Sequence, residues 1–171
     1  MISLEVAIRP ADWSDVPAMG RVWHRAALMA AEGVTLPGTL PIPTADEVAE
    51  EWRRSMEDVA AGALALVAVP AERDGDVVGT IAVLPDPRDS ARGELAGLHV
   101  DPDHWGQGIG RALHDAAIEH LSWAGYRVAM LWVVEGNLRA RAMFERWGWR
   151  ITGGRRSEIP GADELCYLRS L

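Results

Sequence analysis

Three glycines alternate at Gly106, Gly108 and Gly110, between a segment patterned as a strand and one patterned as a helix. Glycine tolerates backbone angles that other residues resist, so successive N–H groups can turn toward one point. With a helix N-terminus behind them, such donors make an anion site that needs no basic side chain. A phosphate-bearing ligand is the natural occupant, and Arg111 is the first cation after the loop. The spacing is G-x-G-x-G, one residue short of the dinucleotide fingerprint. The chain contains no lysine, so all 17 basic residues are arginine and a P-loop is excluded. On the glycines alone, a tight turn with nothing bound stays open.

The pattern on either side places this loop in an α/β chain. Ile2 to Ile8 reads as a strand closed by Arg9-Pro10. Asp12 can cap a helix from Trp13 to about Gly33, with Pro17 in its first turn. A proline-rich loop, Val34 to Pro43, leads to a capping box at Thr44–Glu47 and a second helix to about Ala60. Leu64 to Val69 and Val77 to Leu84 form a hairpin around Asp74-Gly75, and Glu94 to Val100 is a further strand. Ile109 to Ala124 is an amphipathic helix with Gly125 as its C-cap. A strand over Val128–Val134 and a helix over Arg139–Trp147, stopped by Gly148, follow. Trp149–Thr152 and Leu165–Arg169 close the chain as strands. The order is β-α-α-β-β-β-α-β-α-β-β, without repeats or linkers, and 171 residues fit one domain.

Composition narrows the function. The formal net charge is −8, which argues against nucleic acid, whose phosphates need a basic face. No apolar run is long enough to span a membrane: the longest, Val59 to Ala71, is broken by Gly62 and Pro70. The start, Met1 to Glu5, lacks a signal-peptide pattern, so a cytoplasmic location is expected. The single Cys166 allows no internal disulfide, and no histidine spacing defines a metal site, so no metal is expected.

Leu98-His99-Val100-Asp101-Pro102, followed by Trp105 to Leu113, resembles the pyrophosphate-binding motif of the GNAT superfamily, the Gcn5-related N-acetyltransferases. Ile8-Arg9-Pro10-Ala11 resembles the family's opening strand. Leu131-Trp132-Val133 with Asn137 to Ala140 resembles its second cofactor motif, and Phe144 to Trp149 that motif's end. The resemblance spans essentially the whole chain in order. It implies one acetyltransferase domain over residues 1–171, with a mixed, mostly antiparallel twisted sheet flanked by four helices.

It also implies acetyl-CoA as co-substrate. Backbone groups of Leu98, His99 and Val100 would pair with the pantetheine arm. Trp105, Gly106, Gln107, Gly108, Ile109, Gly110 and Arg111 would surround the pyrophosphate, with Asn137 and Phe144 near the pantetheine or acetyl end. Asn137 is also placed to cap the helix after it. Two positions depart from the family. Trp105 stands where Arg or Gln is usual. Phe144 stands where a tyrosine often protonates the leaving thiolate, and phenylalanine has no proton to give. A thiol is acidic enough to leave unaided near neutral pH.

The resemblance points to direct attack by an amine. Glu94 is the leading base candidate, with His99 second and Glu135 a weaker alternative. The Leu98 N–H would meet the oxyanion. The family strand is usually bulged around Ala96–Leu98, and one bulge shifts side-chain parity, which would put Glu94 and His99 on one face. Cys166 reads as core. The acceptor side would comprise Trp23 to Trp52 (His24 included), Pro85 to Arg92 and Arg155 to Asp163. The acids Glu32, Asp46, Glu47, Glu50 and Glu51 read either as a solvated face or as attraction for a cationic amine. The expected acceptor is a small-molecule amine. A protein or peptide acceptor, a non-catalytic acetyl-CoA-binding module and a homodimer stay open.

Overall fold

The computed structural model describes residues 5–32, 41–57, 63–71 and 76–171. Their order is β1 (Val6–Pro10), α1 (Val16–Glu32), α2 (Ala45–Glu57), β2 (Leu64–Pro70), β3 (Gly79–Pro85), β4 (Arg92–Val100), α3 (Ile109–Trp123), β5 (Val128–Val134), α4 (Leu138–Arg146), β6 (Arg150–Ile159) and β7 (Ala162–Ser170). The strands form one seven-stranded sheet in the order β1-β2-β3-β4-β5-β7-β6. Every pair is antiparallel except β4 with β5. This is the expected α/β architecture, with four helices on a mixed sheet. No helix among the described residues is long and apolar enough to cross a membrane.

Local chemistry sets most boundaries. Asp12 accepts from the Ser14 amide at 2.7 Å, and Asp15 returns the bond to the Asp12 amide at 2.9 Å. That capping box first makes a short 3₁₀ turn, Trp13–Asp15, so α1 begins at Val16, slightly later than the sequence pattern implies. At α2, Glu47 accepts from the Thr44 amide at 2.8 Å, as the capping box predicts. β1 extends through Arg9 and Pro10; on an edge strand the missing proline N–H costs the sheet nothing. The predicted Asp74-Gly75 turn lies outside the described residues, as does most of the loop before α2.

The closing hairpin is far longer than expected. β6 and β7 run over Arg150–Ile159 and Ala162–Ser170, whereas the sequence pattern marks only Trp149–Thr152 and Leu165–Arg169. β6 is an edge strand with mostly polar, exposed residues, so it carries no apolar signal. Trp149 itself is a core residue ahead of the strand.

The sheet is buried on both faces. In β2, Leu66 and Ala68 join Leu113, Ala117 and Leu121 of α3, while Val67 and Val69 join Ala18, Met19 and Val22 of α1. Two-sided burial explains why this strand reads as an unbroken apolar run. Leu113 and Leu121 are fully buried, each worth about 1.5–3 kcal/mol relative to exposure.

Two features of β4 shape what lies beside it. First, Thr80 pairs with His99 and Ala82 with Ala96, so two residues of β4, Gly97 and Leu98, oppose Ile81 alone. This is a bulge. Gly97 has φ +61°, and the Thr80 hydroxyl donates to its carbonyl at 3.0 Å. Second, β4 pairs with β5 only through Arg92–Glu94; beyond Met130, β5 continues along β7 while β4 departs. The bulge bends and twists β4 just where the two strands separate. A side chain at Gly97 would be strained by its φ, and a Cβ there would lie 3.3 Å from the Trp52 ring. Gly97→Ala is expected to cost about 1–2 kcal/mol, measurable as a lowered urea midpoint with unchanged m-value.

Candidate active site

Where β4 leaves β5, a cleft of about 390 Å³ opens, within the range of small-molecule sites. Its walls come from Leu98–Val100 of β4, the loop at 104–111, Asn137 and α4, and Ala26 and Ala30 of α1. The structure thus brings together ten of the predicted residues: Leu98, His99, Val100, Trp105, Gly106, Gly108, Ile109, Gly110, Arg111 and Asn137.

The glycine loop has the form an anion needs. Gly106 and Gly108 have φ of +77° and +84°, and Gly108 starts α3 with no side-chain cap. Among the described residues, no protein acceptor meets the amides of Gly106 to Arg111; the first helical bond runs from Ala112 N to Gly108 O. A Cβ at either glycine would touch nothing within 4 Å, so backbone angle and open space, not packing, call for glycine. Two buried side-chain nitrogens lack a hydrogen-bond partner among the described residues, and both belong to cleft-lining histidines: Nδ1 of His99 and Nδ1 of His104. Unpaired loop amides at one end of the cleft fit a phosphate-bearing ligand.

Asn137 caps α4, its Oδ1 accepting from the Ala140 amide at 3.1 Å. Asn137 also lines the cleft, so capping does not exclude a ligand contact. Two predicted cofactor-binding residues lie elsewhere. The Gln107 side chain turns back toward the Asp103 carbonyl at 3.4 Å. Phe144 is buried in the core, edge-on to Trp147 and Trp149 at 5.7 and 6.1 Å, and is not part of the cleft wall. The wall also contains residues that the motifs did not single out, among them Arg139, Met143 and Trp147. Their spacing of four, counted from Arg139 on the first turn of α4, puts them on one face and is the signal that could have found them.

Glu94 lies outside the cleft wall, on the opposite side of β4 from α3. Gly93 faces α3, since a Cβ there would lie 2.3 Å from Leu121 Cδ2. Past the bulge, Val100 takes that side and His99 turns to α1, its ring 5.5 Å from that of Trp23. The bulge therefore places Glu94 and His99 on the same face, where strict alternation would have separated them. Burial pushes the Glu94 carboxyl above its ordinary 4.5; Arg156 opposes this, and Asp86, Glu158 and Glu164 add to it. Burial holds the His99 imidazole below its ordinary 6.5.

Arg156 organises this side. Its Nε lies 2.8 Å from Glu164, and its Nη1 lies 3.3 Å from Glu158 and 3.9 Å from Glu94. Its guanidinium stands 4.6 Å from the centre of the Trp132 ring. Other candidates are committed elsewhere. Glu135 makes a two-pronged bond to Arg155 at 2.6 and 2.9 Å, and His24 Nδ1 meets the Pro43 carbonyl at 2.7 Å. On α2, Glu47 serves the capping box and Glu50 pairs with Arg53 and Arg54, so these acids belong to the helix surface. Cys166 is buried, as a core residue would be.

A family model described as the acetyltransferase (GNAT) family matches residues 27–149. The chain belongs to that family. Among solved structures, an acetyltransferase from Thermus thermophilus superposes over 100% of both chains with TM-score 0.74 and 25% identity. A paia N-acetyltransferase from Thermoplasma acidophilum in complex with coenzyme A shares the GNAT fold, with TM-score 0.71 and 16% identity over 98% of this chain and 99% of that one. A mycothiol acetyltransferase of Geodermatophilus obscurus is 44% identical over 59 residues, which is 34% of this chain but only 19% of the relative. The chain thus spans about a fifth of the length of the first curated relatives it matches.

Beneath the cleft sits a buried titratable group that the motifs did not use. His114 of α3 is fully buried, its Nε2 3.0 Å from Trp149 Nε1 and its Nδ1 2.8 Å from Asp115. Tryptophan only donates, so Nε2 accepts and Nδ1 carries the proton, donated to Asp115. Burial keeps this imidazole below its ordinary 6.5. The unfolded chain therefore takes up a proton as pH falls through 6.5 while the folded chain resists, and stability is lost toward acid. His99 acts in the same direction; Glu94, with its carboxyl raised, acts oppositely just above 4.5. The melting temperature is expected to fall between about pH 7 and pH 5. His114→Gln, which can still accept from Trp149 and donate to Asp115, should flatten that fall. An unchanged slope in the variant would show that His114 does not contribute.

Proposed function

We propose that the chain transfers the acetyl group of acetyl-CoA to the amine of a small molecule by direct attack. The observation that carries this is the cleft joining the unpaired amides of Gly106–Arg111 to the bulged edge of β4. The solved relative in complex with coenzyme A supports the choice of ligand class. Bound acetyl-CoA supplies an activated acyl carbon and a thiolate able to leave near neutral pH.

The chain's residues do the rest. Amides of Gly106 to Arg111 hold the pyrophosphate, with Arg111 adding charge. Leu98, His99 and Val100 lie off the β5 ladder, so this edge of β4 can pair with the pantetheine arm; at Val100 the N–H is the group left for it, since the carbonyl accepts from the Trp105 indole. Asn137 Nδ2 reaches the same arm. The Leu98 N–H, at the bulge, stabilises the oxyanion. Glu94 accepts the proton of the attacking amine, directly or through one water, and burial of its carboxyl makes it a better base. His99 borders the reaction on the same face. Phe144 has no part in protonation, and the leaving thiolate needs none.

On the acceptor side, three carboxylates (Glu94, Glu158 and Glu164) surround one guanidinium. That balance favours a cationic amine. Trp23 and Trp52, from α1 and α2, stand against β4 near the bulge and narrow the approach. The test is a panel of small cationic amines, neutral amines and short peptides incubated with acetyl-CoA, with acetylated products identified by mass. Products from cationic small amines are expected. Products from peptide N-termini alone would overturn the acceptor assignment.

A further inference from the structure

The loop position where the family usually carries Arg or Gln is occupied by Trp105, which leaves the pyrophosphate site one charged or amide side chain short. The cleft contains a replacement from another element. The Trp105 indole N–H donates to the Val100 carbonyl at 2.7 Å, which fixes the half-buried ring beside the loop. Arg139, on the first turn of α4, places its guanidinium carbon 4.3 Å from the centre of that ring. Both residues line the cleft.

The two cleft-lining arginines differ. Arg111 is paired with Asp115 at 2.7 Å. Arg139 has no carboxylate partner among the described residues, although the chain carries 25 acidic residues. A guanidinium on an aromatic face keeps its edge N–H groups free, and its planar fork matches phosphate oxygens. Stacking also removes much of the side-chain freedom that binding would otherwise have to restrict. We infer that Arg139, pre-set on Trp105, supplies from α4 a phosphate-binding cation beside the Asp115-paired Arg111, in place of the side chain that Trp105 replaces, and that it contacts the pyrophosphate of the bound coenzyme. This rests on the acetyl-CoA reading of the cleft.

The test is calorimetric binding of three ligands: acetyl-CoA, its 3′-dephospho form, and acetyl-pantetheine, which has no phosphate. Arg139→Gln should weaken acetyl-CoA about tenfold, a loss typical of a charged hydrogen-bonding pair. The same loss should persist with the 3′-dephospho ligand, while acetyl-pantetheine affinity stays the same. The parent protein should lose affinity more steeply with added salt than Arg139→Gln does. Trp105→Leu should weaken acetyl-CoA in the same way, and the double variant should bind no worse than the weaker single variant, because the two residues act as one unit. Arg139→Lys should recover part of the loss as a point charge.

If Arg139→Gln binds acetyl-CoA like the parent, or loses acetyl-pantetheine equally, the inference fails. A loss confined to ligands bearing the 3′-phosphate overturns the pyrophosphate assignment. If the parent protein does not bind acetyl-CoA at all, the acetyl-CoA reading fails first, and the inference with it.

Discussion

Replacing Glu94 with glutamine is expected to lower kcat by roughly 100-fold or more at neutral pH, with acetyl-CoA affinity nearly unchanged. The two halves of that result have separate causes. Glutamine keeps the shape of the side chain but cannot accept the ammonium proton, so the step that makes the amine nucleophilic is lost. Glu94 is not part of the cleft wall, so ligand binding there loses nothing. The parent's rate should fall as pH drops through a point above 4.5, because burial raises the carboxyl and the base must be ionised. Arg156, the nearby cation, opposes that shift, so Arg156→Gln should move the same limb to higher pH. Full turnover in Glu94→Gln would remove Glu94 from the mechanism.

Placing valine at Gly108 is expected to abolish measurable acetyl-CoA binding. Gly108 has φ +84°, a conformation that a β-branched residue resists, so the loop must change course to relieve the strain. The amides of Gly106 to Arg111 would then no longer converge, and each charged hydrogen bond lost to a phosphate is worth about 1.5–3 kcal/mol. A Cβ at this position meets no protein atom within 4 Å, so the core should survive and the melting temperature should change far less than the affinity. Undiminished affinity by calorimetry would contradict the loop assignment.

Much of this arrangement is legible in the chain because its causes are local. The Thr44–Glu47 capping box, the Asp12 cap and the alternating glycines each act over a few residues, and each appears where the pattern puts it. The bulge at Gly97–Leu98 follows from the family resemblance and decides the face shared by Glu94 and His99. What the pattern misses depends on long-range partners. β6 continues through Gly153–Gly154 because β7 lies beside it; a Cβ at Gly154 would lie 2.9 Å from Cys166 Cβ. The parting of β4 from β5, which opens the cleft, leaves no mark on either strand alone. Phe144 sits in a motif associated with the site, yet its ring is drawn into the core by Trp147 and Trp149. The Trp105–Arg139 stack and the Arg156 hub join segments that no local pattern connects.

Amine-dependent release of the coenzyme thiol tests the central claim most directly. With acetyl-CoA and a panel of amines, the account predicts thiol release well above the amine-free rate for at least one cationic small amine, with an equal amount of acetylated product. Acetyl-CoA binding without any amine-dependent release across the panel would contradict it, leaving a cleft that holds the ligand but does not transfer its acetyl group.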